Sequence, residues 1–249
     1  MDNLEKEKRH SKVTRIISSI VLYSFILPIG FLVFRIVNPE VGVTELTRTR
    51  SDYILMLFQC LLGIVVLFYP NVIMKRRKIE IPSNLYLLYV IFLFCAIFLG
   101  EVRNFYHIVP YWDTVLHAFS GGMIAALGFS FISLLNDEEN IHHLNLTPFF
   151  VAFFAFNFAI TMGVVWEVYE FVADGVLGTN MQKFALVDGS VLAGREALMD
   201  TMEDLIVDGV GAFIISFIGY ISLKYNKGWI EKLLLKRKKH HKETLENDN

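Results

Sequence analysis

Long apolar runs without charged residues constrain this chain more than any other feature of its sequence. Five runs of about 18 or more residues carry no formal charge, and a sixth carries Asp208 near its start. A helix rises 1.5 Å per residue, so each run can cross the roughly 30 Å hydrocarbon core of a bilayer. The predicted spans are about 16–35, 53–74, 81–100, 114–136, 146–172 and 204–223. These runs predict an all-α, polytopic integral membrane protein, a bundle of about six transmembrane helices in a single domain over residues 1–249.

Composition excludes several other classes of protein. Hydrophobic residues make up 54% of the chain and charged residues only 19%, against about 25% charged in a typical soluble domain. The same figures exclude an intrinsically disordered or collagen-like chain. Two cysteines cannot make a disulfide scaffold. The formal net charge of −2 and the lack of any nucleic-acid-binding motif predict no nucleic-acid partner.

The distribution of lysine and arginine predicts the orientation of the spans. Five basic residues lie in the N-terminal segment through Arg15, four in residues 75–78, and eight from Lys224 onward. The segments on the other side carry six, among them Lys183 in the long stretch before the sixth span. Basic residues are retained on the cytoplasmic side. We therefore expect a protein of the bacterial cytoplasmic membrane with both basic tails, 1–13 and 226–249, in the cytoplasm.

Ionisable residues at the ends of the last three spans form groups with helical spacing. These are Asp113 with His117, Glu167 with Glu170, and Asp200 with Asp204 and Asp208. Residues three or four apart share a helix face, and the predicted topology places all three groups at the extracytoplasmic end. An ionisable side chain costs about 2.5–3.5 kcal/mol at the centre of a span and usually faces the bundle interior. The groups therefore predict one polar pocket that opens outward.

Carboxylates and an imidazole at this spacing suit a divalent metal ion, which is the cofactor we consider for this pocket. The candidate ligands are Asp113, His117, Glu167, Glu170, Asp204 and Asp208. The same groups could perform general acid/base chemistry, for which the candidates are His117, Glu167 and Asp204. Structural roles are the alternative for single residues, since Asp113 suits a helix N-cap and Asp200 suits the first turn of a helix.

Three segments resemble the YjdF-like family of bacterial multi-pass membrane proteins. They are Asp113-Thr-Val-Leu-His117-Ala-Phe-Ser-Gly121, Trp166-Glu167-Val-Tyr-Glu170-Phe, and Asp200-Thr-Met-Glu-Asp204-Leu-Ile-Val-Asp208-Gly-Val-Gly-Ala212. In order and spacing they are more distantly similar to VanZ-like proteins, which are associated with tolerance of glycopeptide antibiotics. The resemblance implies that the ionisable residues act as a set, and it implies no particular reaction.

Three classes of function are compatible with these residues. The first is a metal-dependent activity on lipid or lipid-linked envelope substrates, with the membrane bilayer as the protein's partner. The second is a transporter or a proton or ion pathway, for which the polar residues deeper in the spans are few. The third is a non-catalytic scaffold or an envelope-stress or antibiotic-tolerance protein. The sequence indicates neither whether the protein is an enzyme nor its oligomeric state.

Two further segments carry predictions. Small residues at Gly121, Gly209 and Gly211 are predicted to let helices approach closely. The basic run 236–239 is interpreted as a topology anchor, with binding of anionic lipid headgroups as the alternative.

Overall fold

A computed structural model describes residues 3–38, 48–135, 145–186 and 189–237, and it is almost entirely helical. The helices are α1 (Asn3–Val37), α2 (Arg50–Arg77), α3 (Ser83–Leu93), which continues as a π-helix (Phe94–Val102), α4 (Phe105–Ile108), α5 (Trp112–Leu135), α6 (Pro148–Leu177) and α7 (Met199–Lys224). Short 3₁₀ turns occupy Glu196–Leu198 and Ile230–Lys232, and two short strands, β1 (Ile79–Glu80) and β2 (Lys236–Arg237), pair antiparallel.

Six of these helices are long and apolar enough to cross a membrane, which confirms the predicted fold class. The helical segments are Lys12–Val37, Arg50–Arg77, Ser83–Val102, Trp112–Leu135, Pro148–Leu177 and Glu196–Lys224. The last two extend beyond the predicted spans 146–172 and 204–223. The helices continue through the charged residues at which the apolar runs stop.

Local sequence signals set several helix ends. Thr49 caps α2 through a capping box in which its hydroxyl oxygen accepts from the amide of Asp52 and the Asp52 carboxylate accepts from the amide of Thr49. Thr147 caps α6, and Pro148 occupies the first turn, where its missing N–H costs nothing. Gly178 ends α6 with φ +67°, a left-handed conformation that glycine adopts without strain.

Two packed groups of helices make up the described structure. In one, α1, α2 and α3 bury clusters around Phe25 and Met56. In the other, α5, α6 and α7 pack around Phe129 and a set of alanines. Along α5, Gly121 lies against Asp208 and Phe129 lies against Gly219, so α5 and α7 run in the same direction. Gly128 of α5 lies against Ala155, and Gly163 lies against Asp208, so α6 runs against them.

Glycine makes the contact between α5 and α7 unusually close. A Cβ atom at Gly121 would lie 2.3 Å from the backbone oxygen of Asp208, and one at Gly211 would lie 2.0 Å from the backbone oxygen of Ala118. Both distances are far below van der Waals contact, so only glycine fits at either position. The predicted packing role is confirmed for Gly121 and Gly211; a Cβ atom at Gly209 would meet only the Ile160 side chain, at 3.4 Å.

The strand pair fixes which segments lie at the opposite end of the bundle. In the pairing Ile79 faces Arg237 and Glu80 faces Lys236. Because β1 follows α2 and β2 follows α7, the end of α2 and the segment after α7 lie together. That end is remote from the first turns of α5 and α7.

Candidate functional site

Four of the predicted site residues converge where α5 and α7 begin. Asp113 and His117 come from successive turns of α5, and Asp204 and Asp208 come from successive turns of α7. The His117 ring lies among the three carboxylates, with contacts of 3.3–3.8 Å to each. The close approach of the two helix backbones allows side chains this short to meet.

The two nitrogens of His117 face different partners. Nδ1 lies 3.3 Å from Oδ2 of Asp208, whose Oδ1 accepts a hydrogen bond of 3.2 Å from the Ser120 hydroxyl. Nε2 lies 3.6 Å from Oδ1 of Asp113 and 3.8 Å from Oδ2 of Asp204. A carboxylate on Nδ1 favours the tautomer that carries its proton there, which leaves the lone pair of Nε2 directed toward Asp113 and Asp204.

Asp113, His117 and Asp204 together have the geometry of a metal-binding group. One ligand atom from each lies within 4.8 Å of the other two. Asp204 is 4% exposed and its Oδ2 has no hydrogen-bond partner among the described residues. A buried carboxylate oxygen without a partner carries a large desolvation cost, which a cation or an ordered water would remove.

Glu167 and Glu170 are buried on α6 at the same end but do not join that group. Glu170 accepts a hydrogen bond of 2.9 Å from the Trp166 indole. Both carboxylate oxygens of Glu167 are buried without a hydrogen-bond partner among the described residues. Their predicted role as metal ligands stays a prediction.

Asp208 also depends on α6 for its position. A Cβ atom at Gly163 would lie 2.7 Å from Oδ2 of Asp208. The carboxylate therefore occupies space that a glycine leaves open, and α5, α6 and α7 all contribute to the site.

The segment between α6 and α7 contributes a cation that sequence reasoning did not single out. The Lys183 ammonium donates to Oδ2 of Asp113 at 2.5 Å and to Oδ1 of Asp200 at 2.6 Å. Burial lowers the pKa of Lys183, but these two carboxylates outweigh that effect and raise the pKa above its usual value. Lys183 is therefore a permanent cation that joins α5 to α7 beside the candidate ligands.

Asp174, at the end of α6, holds the start of this segment in place. Its carboxylate accepts from the Thr179 hydroxyl at 2.7 Å and from the backbone amides of Met181 and Gln182 at 2.7 and 3.0 Å. Lys183 itself has φ +47°. No pattern in the sequence indicates this turn, so Lys183 could be counted only as one of the basic residues outside the spans.

A separate polar network lies where the π-helix ends. The Gln59 amide donates to Oε1 of Glu101 at 3.0 Å. The Arg48 guanidinium donates to the backbone oxygens of Glu101 and Val102 at 2.5 and 3.2 Å. Burial lowers the pKa of Arg48, and the charge of Glu101 partly offsets this. The network satisfies carbonyls that the end of a helix leaves without partners, so its role is structural.

A family of predicted membrane proteins, DUF2238, matches residues 21–225. The chain belongs to this family. The match includes every candidate site residue of this DUF2238 protein. The chain is also 30% identical over 154 residues to an uncharacterized protein of Thermotoga maritima, and the alignment covers 61% of this chain and 70% of that protein. No solved structure matches the chain. Neither match names the YjdF-like family, and neither supports the VanZ-like resemblance.

Proposed function

We propose that this membrane protein binds a divalent cation through Asp113, His117 and Asp204. The observation that carries the proposal is the approach of one ligand atom from each residue to within 4.8 Å of the others. The contact between Asp208 and Nδ1 of His117 supports it, because histidines that bind metals usually donate their second ring nitrogen to a carboxylate.

The balance of charge at this end of the bundle also supports a cation. The acidic side chains there include six on the first turns of α5 and α7 and the last turns of α6: Asp113, Glu167, Glu170, Asp200, Asp204 and Asp208. Lys183 contacts two of them, and a protonated His117 would supply one more positive charge. Crowded carboxylates repel one another unless cations or shared protons neutralise them. A divalent ion would neutralise the carboxylates nearest to His117.

We propose a metal-dependent activity on lipid or lipid-linked envelope substrates. A divalent cation bound here would polarise a substrate oxygen or lower the pKa of a bound water. His117 and Asp204 would hold the ion, and Glu167 would accept or donate a proton as a buried carboxyl without a hydrogen-bond partner. The site lies within the first three turns of α5 and α7, and a position near the end of the predicted spans would favour a substrate carried by the membrane.

A proton or ion pathway has less support. Asn157 and Thr161, the polar residues deeper in α6, have exposed side chains that bond to carbonyls of their own helix, at Phe153 and Asn157. They face away from the bundle and do not extend the polar pocket. The buried hydroxyls of α5 and α7 belong to Ser130, Ser216 and Ser222. Ser130 donates to a carbonyl of its own helix and Ser222 accepts from the amides of Trp229 and Ile230, so they do not form a continuous path.

The proposal is tested by measuring divalent ions in protein purified in detergent without chelators. Wild type should hold about one equivalent of zinc, manganese or another divalent ion, and His117→Ala and Asp204→Ala should each lose it. Glu203→Gln is the matched control, because Glu203 is an exposed acid beside Asp204 on α7. Absence of metal in wild type after ions are added back, or equal loss in Glu203→Gln, would refute the proposal. The scaffold class would then gain support.

We propose further that the pocket faces outward from the bacterial cytoplasmic membrane, on the basis of the basic residues at the opposite end. Alkaline phosphatase fused after Asn38 should then be active. An inactive fusion would reverse the proposed orientation.

A further inference from the structure

A cavity of about 440 Å³ lies at the opposite end of the bundle, between α1, α2 and the start of α3. A second cavity of about 710 Å³ shares four of its lining residues and extends toward β1. The two cavities form one groove, which we call the inner groove. None of the candidate metal ligands lines it.

The walls of the inner groove change from polar to apolar along the helices. Arg15, Ser18 and Ser19 of α1 and Asn71, near the end of α2, line the smaller cavity. The hydroxyl oxygen of Ser18 is buried without a hydrogen-bond partner among the described residues. One turn deeper, the lining consists of apolar side chains, namely Leu22, Leu67 and Phe68.

Positive charge is concentrated at the polar end of the groove. Arg15 lines the smaller cavity and Lys75 lines the adjoining one, where Glu80 is the acidic neighbour. The pairing of β1 with β2 places Lys236 and Arg237 at the positions opposite Glu80 and Ile79. The backbone of these two residues therefore lies beside the groove.

We propose that the inner groove binds an anionic phospholipid of the leaflet at this end of the bundle. The phosphate would lie at Arg15 and accept from the Ser18 hydroxyl, beside Ser19, whose hydroxyl donates to the backbone oxygen of Arg15. An acyl chain would lie along Leu22 and Phe68. Phe68 is 47% exposed, so the apolar wall opens to the hydrocarbon rather than to water. A soluble anion would use the polar end of the groove and leave this wall uncovered.

Native mass spectrometry of the delipidated full-length protein tests the proposal, with phosphatidylglycerol and phosphatidylethanolamine as probes. We expect phosphatidylglycerol to be retained more strongly. A basic residue near an anionic headgroup changes affinity by about fivefold, so Arg15→Gln should weaken retention of phosphatidylglycerol by about that factor. Ser19→Leu keeps every charge and fills the groove, and it should abolish retention. Arg76→Gln is the matched control, since Arg76 is exposed beside Lys75 and does not line either cavity.

Three results would overturn the proposal. Equal retention of the two lipids would remove the headgroup preference. Equal weakening by Arg76→Gln and Arg15→Gln would indicate a diffuse field of surface charge. Competition by inorganic phosphate or by the headgroup without acyl chains at similar concentration would indicate a site for a soluble anion. His117→Ala should leave lipid retention unchanged, so failure of the metal proposal is distinguishable from failure of this one.

Discussion

Asp208→Asn would separate the residues that bind a metal from the residue that orients them. The Ser120 hydroxyl lies 2.9 Å from the backbone oxygen of His117 and 3.2 Å from Oδ1 of Asp208, and it can donate to either oxygen. Oδ2 of Asp208 faces Nδ1 of His117. Asparagine has nearly the same shape and keeps an acceptor for Ser120. Its amide nitrogen would then face Nδ1, so two donors would oppose each other and the imidazole would no longer be held in the required tautomer.

The expected size of the effect follows from this indirect position. Asp208 contacts the histidine nitrogen that points away from Asp113 and Asp204. Loss of a carboxylate that orients a metal-binding histidine typically weakens metal affinity by about 10- to 100-fold, which corresponds to about 1.4–2.7 kcal/mol of binding free energy. Removal of His117 itself should abolish measurable binding, because the ligand atom is lost.

Competition with a chromophoric chelator measures the affinity of each variant for zinc or manganese in detergent. Asp208→Asn should bind 10 to 100 times more weakly than wild type but with the same stoichiometry. Glu203→Gln, an exposed acid on the same helix, should bind as wild type does. Wild-type affinity in Asp208→Asn would refute the orienting role, and complete loss of the ion would make Asp208 a direct ligand.

Two further predictions test the helix contact and the segment before α7. Gly211→Ala would place a Cβ atom 2.0 Å from the backbone oxygen of Ala118 and should destabilise the protein by about 1–3 kcal/mol, seen as a lower melting temperature. Gly209→Ala is the control, because its Cβ meets an isoleucine side chain at 3.4 Å, and it should leave the melting temperature unchanged. Equal effects of the two variants would contradict the close packing. Lys183→Met removes two charge-assisted hydrogen bonds and should speed hydrogen exchange of the backbone amides in residues 179–186 about tenfold. The control is Arg195→Gln at an exposed residue, which should leave the exchange rate unchanged. An unchanged rate in Lys183→Met would show that Lys183 does not hold the segment.

The fold could be predicted from sequence because bilayer spans are specified by length and apolarity alone. The bounds of the spans stay predictions, and the helices differ from them at charged ends. The prediction ended the fifth span at 172, whereas α6 continues to Leu177. The prediction already ran through Glu167 and Glu170 and stopped before Asp174, which is also buried on this helix. A rule based on apolar runs does not reach the end of a helix that carries further acids near its end.

The grouping of the four converging residues could be predicted, because the sequence shows both their helical spacing and their position at the same predicted end of the spans. The contribution of Lys183 could not be predicted, since its position depends on a turn in which Asp174 accepts from two backbone amides. Such a turn has no periodicity, and the lysine adopts a positive φ that few non-glycine residues adopt. The sequence does not predict the inner groove either, because the groove arises from the packing of three helices.

The glycines at the contact between α5 and α7 also determine where the acidic residues of α7 lie. Asp208 reaches His117 at 3.3 Å only while the backbones of α5 and α7 are nearly in contact. That contact exists because Gly121 leaves room for the backbone of Asp208 and Gly211 leaves room for that of Ala118. A larger residue at either glycine would push α7 outward and lengthen the distance between Asp208 and His117 beyond that of a hydrogen bond. The small-residue pattern, which by itself indicates only packing, therefore also sets the distance between the histidine and its carboxylates.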